Sequence, residues 1–207
     1  MTLTAEQQAA IAAKVNSMTL PSGLGDERNA CSIAAINLAL TGQMTDVVPD
    51  CMSLVIGQWI IRVQDTMPYE MRNSKAWKDL LPLAAGTGRD YEPERLAIIM
   101  DWVWDTVLPH IQPTADACWF GGEWRAMCEE RTPAAAEEAA QAARAARAVE
   151  AAWAAEAAKA AKAAQAVRAV EAARAAEEAA LASGDPEKAW KHFDPCGLLQ
   201  KLVEVGK

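Results

Sequence analysis

Between Thr132 and Ser183 the chain repeats one three-residue phrase, two alanines followed by a larger residue. The larger positions run Glu138, Gln141, Arg144, Arg147, Glu150, Trp153, Glu156, Lys159, Lys162, Gln165, Arg168, Glu171, Arg174 and Glu177. No Gly, Pro, Asn, Asp, Ser or Thr occurs between Ala134 and Ala182. Ala, Glu, Lys, Arg and Gln are the strongest helix formers. The segment therefore predicts one continuous helix of about 49 residues, roughly 75 Å long at about 1.5 Å per residue. A period of three turns the polar row by about 60° per repeat, so it circles the helix every ~18 residues. Supercoils need repeats near 3.5 or 3.67, so no apolar seam runs the length of such a helix. Two readings follow: a solvated alanine helix, or a spacer and oligomerisation helix.

The rest of the chain organises around that helix. Residues 1–131 have the composition of a globular helical domain, with six of the eight tryptophans between Trp59 and Trp124. This segment carries 10 basic and 17 acidic side chains, whereas 132–183 and 184–207 are close to neutral. An acidic domain argues against general DNA or RNA binding and against anionic membrane surfaces, which both need basic surface. No CxxC pair joins the five cysteines, and only His110 and His192 are available beside them, so neither a zinc site nor a cofactor is expected. The N-terminus MTLTAEQQAAIAAKV has no signal-peptide pattern, and no uncharged apolar run of membrane-spanning length occurs. The expected setting is cytoplasmic, with reduced thiols and no membrane partner.

Helical periodicity recurs throughout and strand alternation is absent, which predicts an all-α fold of about eight helices. Helices are expected over 5–16, 28–40, 74–85, 114–131 (kinked at Gly121-Gly122), and from Pro93 to Leu108 in the core. Met52, Val55, Ile56, Trp59, Ile60 and Val63 form the cleanest amphipathic face. Trp59, Trp102, Trp104, Trp119 and Trp124 read most simply as core, with one or two available to line a pocket. After Gly184, residues Leu198, Leu199, Leu202 and Val203 make an apolar stripe on a segment too short to form its own core. A straight long helix would carry that stripe away from its own domain. A second subunit would then have to cover it, which predicts a homo-oligomer, most simply a two-fold dimer with antiparallel long helices.

Three polar clusters are candidates for binding chemistry: Arg28-Asn29 after Gly25-Asp26-Glu27, Arg72-Asn73-Ser74, and Gly86-Thr87-Gly88-Arg89. Helix N-termini and glycine turns offer backbone N–H groups to anions, and arginine adds a planar fork. Together they suit a small anionic ligand such as a nucleotide, although capping and turn formation explain the same residues. Asp101 and Asp105, four apart on one helix, could instead hold a magnesium ion for phosphohydrolysis, or simply form a solvated stripe. Asn37 is expected to be a satisfied buried amide and Cys31 an inert thiol.

The phrases GDERNACSIAAINLALTG, PDCMSLVIGQWIIRVQD, MRNSKAW and LLPLAAGTGR, with the closing FDPCGLL, occur in one order over residues 24–132 and 193–199. In these the chain resembles an uncharacterised family from bacteriophages and high-GC bacteria whose members end in variable alanine-rich repeats. The resemblance implies a phage or mobile-element setting and no established activity. The leading expectation is a non-enzymatic protein that sequesters a small anionic ligand through Arg72, Asn73, Ser74 and Arg89. The alternatives are a protein–protein module that blocks a host partner and a metal-dependent helical phosphohydrolase.

Overall fold

The computed structural model describes residues 3–26, 28–146, 148–164 and 169–207. Among these residues every regular element is helical, and the one strand-like pairing is a single bridge between Gly25 and Ala30. In chain order the helices are α1 (Ala5–Ser17), α2 (Ser32–Thr41), α3 (Leu54–Thr66), α4 (Tyr69–Arg72), α5 (Lys75–Ala85) and α6 (Glu92–Trp102). A π-helical turn (Val103–Val107) and a 3-10 turn (Leu108–Ile111) follow. Then come α7 (Gln112–Ala117), α8 (Gly121–Glu130), α9 (Pro133–Ala145), α10 (Val149–Ala164), α11 (Ala169–Ala182), α12 (Pro186–Phe193) and α13 (Pro195–Glu204). The chain forms two compact units, Met1–Arg95 with Pro195–Lys207, and Leu96–Asp194. These differ from the segments 1–131, 132–183 and 184–207 expected from composition, because α6 crosses the division and the tail joins the N-terminal unit.

In the first unit, local chemistry starts each helix. Thr4 and Gln7 form a reciprocal capping box at α1. Ser53 and Ser74 cap α3 and α5 through their hydroxyls. The expected face of α3 is buried at Ile56, Trp59, Ile60 and Val63. Trp77 donates its indole N–H to the Ser32 hydroxyl at 3.1 Å, so a large apolar body enters the core with its polar atom satisfied. Asn37 donates to the carbonyls of Thr45 and Val47, both at 2.8 Å, and so ties the following loop to α2. The stripe of α13 is buried, and α13 packs on α5 and α3 of its own chain. The expectation that another subunit must cover this stripe is therefore corrected, and the antiparallel dimer built on it loses its premise.

In the second unit the expected Pro93–Leu108 helix ends at Trp102. Pro109 has no N–H for the carbonyl of Asp105, so the ladder preceding it cannot stay regular. The chain widens instead into the π turn, where the Leu108 N–H reaches back to the Val103 carbonyl. The single long helix is also corrected. The repeat forms α9, α10 and α11, with α9 packed on α10 and α10 on α11. Lys162 pairs with Glu137 at 3.0 Å and Arg174 with Glu156 at 3.4 Å. A straight helix would hold residues 18 or 25 apart at roughly 27 and 37 Å. Ala148 is non-helical, while Arg147 and residues 165–168 lie outside the described residues.

The physical reason lies in the three-residue period. Over about 14 residues the polar row sweeps roughly 240°, leaving a sector of about 120° lined only by alanines. A longer helix loses that sector; a short one keeps it and can bury it. Eight alanines of α10 alone are buried. At about 0.8 kcal/mol per buried methyl-sized group, they outweigh the few intrahelical hydrogen bonds lost at a break, each worth about 1 kcal/mol net.

Candidate functional site

The polar clusters singled out by the sequence are occupied by the chain itself. The Asp26 carboxylate accepts from the Arg28 and Asn29 amides at 2.8 and 2.9 Å. These bonds, that to Arg28 foremost, hold its carboxyl below the usual aspartate range. Glu27 lies outside the described residues. At α3 the Glu92 carboxylate takes the helix N-terminus, accepting from the Leu54 amide (2.7 Å), the Val55 amide (3.0 Å) and the Ser53 hydroxyl (2.8 Å). The Gly25–Asn29 loop and the α3 N-terminus thus each hold an internal carboxylate.

The arginines are engaged as well. Arg72 donates to the carbonyls of Leu20 (3.0 Å), Met67 (2.9 Å) and Gln64 (3.4 Å). Asn73 accepts from the Leu20 amide and donates to its carbonyl, and Ser74 caps α5. The Arg72–Ser74 group is a staple between the Leu20 segment and α4–α5. In the glycine turn, Gly86 closes α5, Thr87 accepts from the Ser53 amide, and Gly88, left-handed at φ +59°, donates to the Cys51 carbonyl. Arg89 pairs with Asp50 at 3.0 Å on the surface. The buried Arg95 donates to the carbonyls of Thr87 and Gly88 at 2.9 Å and fixes this turn. The turn is therefore brought together with α3 and α6, while Arg72 is held elsewhere in the same unit.

Asp105 is ion-paired with Arg131, and Asp101 is exposed. Among the described residues no group of three His, Cys, Asp or Glu side chains is placed to hold a metal ion. Among the same residues no helix is long and apolar enough to cross a membrane.

The feature without an internal explanation is the corner between α7 and α8. The expected helix over 114–131 is broken here, and Trp119, expected in the core with the other tryptophans, is 95% exposed. The Phe120 N–H bonds to the Ala115 carbonyl at 3.0 Å and the Trp119 N–H to the Asp116 carbonyl at 3.4 Å. This is the paired closure that ends a helix on a left-handed residue, a position where glycine is normal. Here tryptophan occupies it at φ +68°. The same conformation recurs at Arg131 and Asp194, but Arg131 uses it to reach Asp105. Trp119 has no side-chain partner among the described residues.

The corner is rigid on both sides of that side chain. Phe120 is buried and meets Trp124 edge-to-face at 5.9 Å, and the Trp124 indole N–H donates to the Leu108 carbonyl at 2.9 Å. Gln112 donates to Asp116 (2.8 Å) and to the Gly121 carbonyl (3.0 Å), strapping α7 to α8. A Cβ on Gly121 would stand 1.9 Å from the Asp116 carboxylate, so any side chain there would push Asp116 out of its bond with Gln112. Arg125 pairs with Asp116 at 3.5 Å, and an open cleft of about 380 Å³ lined by Gln112, Arg125, Trp104, Pro109 and Cys128 adjoins the corner. Burial pushes the Cys128 thiol up to about 12, so it is not a thiolate nucleophile near neutral pH. Elsewhere in this unit His110 and His192 stack at 4.6 Å against Phe193. Burial first, then the charges of His192 and Lys188, push His110 below the usual imidazole range.

One signal for the corner was present in the sequence. Two adjacent aromatics, Trp119 and Phe120, precede Gly121-Gly122, and neighbours at such a turn cannot both face the core. Comparisons with known protein families, curated proteins and solved structures find no match to the chain.

Proposed function

We propose that the protein is a binding protein that recognises a macromolecular partner through the α7–α8 corner, with Trp119 as its anchor. One observation carries the reading: a tryptophan stands 95% exposed on a backbone conformation that disfavours it. A left-handed non-glycine residue is unfavourable by about 1–2 kcal/mol; the backbone closure and Phe120 hold the conformation, while the exposed indole itself offsets little of it. Strain of that kind, seen first and explained second, points to function. Tryptophan is enriched among the few residues that dominate protein interfaces, and rigid presentation reduces the entropy lost on docking.

The internally occupied anion seats favour this reading over sequestration of a small anion by Arg72 and Arg89. A nucleotide at these arginines would have to displace the Leu20, Gln64 and Met67 carbonyls from Arg72 and Asp50 from Arg89. Capture from lysates of the source cells, with wild-type and Trp119→Ala protein as baits, tests the reading. A discrete partner retained by the wild type should be lost with Trp119→Ala, since removing an interface anchor weakens binding by about 2 kcal/mol or more, roughly 30-fold. A partner retained equally by both baits refutes it.

A further inference from the structure

We infer that the stacked pair His110–His192 is an acid-sensitive clasp, which closes α12 on the 3-10 turn at neutral pH and loosens it when the pair takes up protons. The clasp stands independently of the Trp119 anchor. The two rings lie 4.6 Å apart and 23° from parallel. His110 belongs to the 3-10 turn Leu108–Ile111 and His192 to the last turn of α12, so the contact joins two elements. Phe193, itself buried, meets His110 edge-on at 5.4 Å and His192 at 6.3 Å. His192 is exposed and His110 half-buried, so protons reach the pair from solvent.

The helix that the clasp holds is short and jointed. A left-handed residue stands on either side of α12, Gly184 at φ +73° and Asp194 at φ +47°. Trp190 and Phe193 are buried, and the Phe193 carbonyl accepts the Trp102 indole N–H at 2.6 Å. Those contacts do not titrate. They keep α12 seated, so acid raises the frequency of its local opening and does not unfold the unit.

The surroundings leave an added proton uncompensated. Besides burial, the charges that bear on His110 are those of His192 and Lys188, both basic and both on α12. No carboxylate among the described residues, Asp194 included, acts on that ring. Asp105 of the π turn is paired with Arg131, Asp116 of α7 with Arg125, and Glu156 of α10 and Glu178 of α11 with Arg174. Glu123, Glu129 and Glu130 of α8 are exposed, and Glu187 of α12 is paired with Lys191. The first proton therefore leaves the second ring facing an imidazolium, and two charged rings at this separation repel. His110 titrates below its ordinary value of 6.5, so the clasp is closed at neutral pH and opens as pH falls through that lower value.

Hydrogen exchange on the full chain, read as protection factors at about pH 7.5 and about pH 5, tests this with wild type, His110→Gln and His192→Gln. In the wild type, protection over 186–193 should fall by about tenfold or more on acidification, while that of α5 holds. In either variant the fall over 186–193 should be less than about threefold. Histidine NMR titration supplies a second reading. The two wild-type rings should titrate as a coupled pair, and His110 should titrate at higher pH in His192→Gln. An unchanged wild-type protection over 186–193, equal falls in wild type and variants, or an His110 titration that ignores His192→Gln overturns the inference.

Discussion

Replacing Trp119 with glycine should make the protein slightly more stable. The left-handed backbone there is unfavourable for tryptophan by about 1–2 kcal/mol and unstrained for glycine. Against that gain stands the greater chain entropy of an unfolded glycine, about 0.5–1 kcal/mol. The lost burial is small: Trp119 is 95% exposed, so about 10 Å² of a roughly 250 Å² side chain is covered, worth ~0.3 kcal/mol. The net is a stabilisation of about 0.5 kcal/mol. For a chain of this length that raises Tm by about 1–2 °C. The neighbouring Phe120→Ala gives the contrast, since a buried aromatic removed from a core is destabilising by about 3–5 kcal/mol. Urea denaturation of the two variants beside the wild type reads both. A loss of more than about 1 kcal/mol in Trp119→Gly would refute the reasoning, because the indole would then be packing within its own fold.

Three further outcomes follow. Arg72→Ala should destabilise the fold by about 1–3 kcal/mol, since it removes donors to the Leu20, Gln64 and Met67 carbonyls; a fully stable variant in thermal melts would return Arg72 to the list of free ligand-binding groups. Glu92→Gln should lower stability by about 1 kcal/mol by weakening the cap of α3, measured by urea denaturation, and an unchanged midpoint would contradict that role. His110 is held below its ordinary value of 6.5, so the unfolded chain binds the proton more readily. Its contribution is full above about pH 6.5 and is lost as pH falls through the lower folded value. Tm should therefore fall less between pH 7.5 and 5.5 in His110→Gln than in the wild type, and equal slopes would show that the histidine stack is not the cause.

Much of the fold was legible because short-range chemistry decides it. The α3 face, the Ser74 cap of α5 and the apolar stripe of α13 follow from period and capping alone. The repeat misled because helix propensity is a local quantity. Nothing between Ala134 and Ala182 breaks a helix, yet alanine faces are worth more packed against each other than solvated. That gain depends on tertiary contact, which no residue in the segment announces. The polar clusters misled differently. The residue types that seat an anion were present, but Asp26 fills its own loop, Arg72 is spent on the Leu20, Gln64 and Met67 carbonyls and Arg89 on Asp50, partners that only the fold brings in. Trp119 was hidden because composition places a tryptophan in the core, and only the closure of α7 turns it outward.

The central claim is that Trp119 faces a partner. The direct measurement places a photoactivatable benzoylphenylalanine at position 119 of the full chain, irradiated in cells, with the same residue at exposed Val47 in the other unit as control. The account predicts one discrete cross-linked species from position 119 that is absent from position 47. No cross-link at 119, or the same diffuse products from both positions, would contradict it.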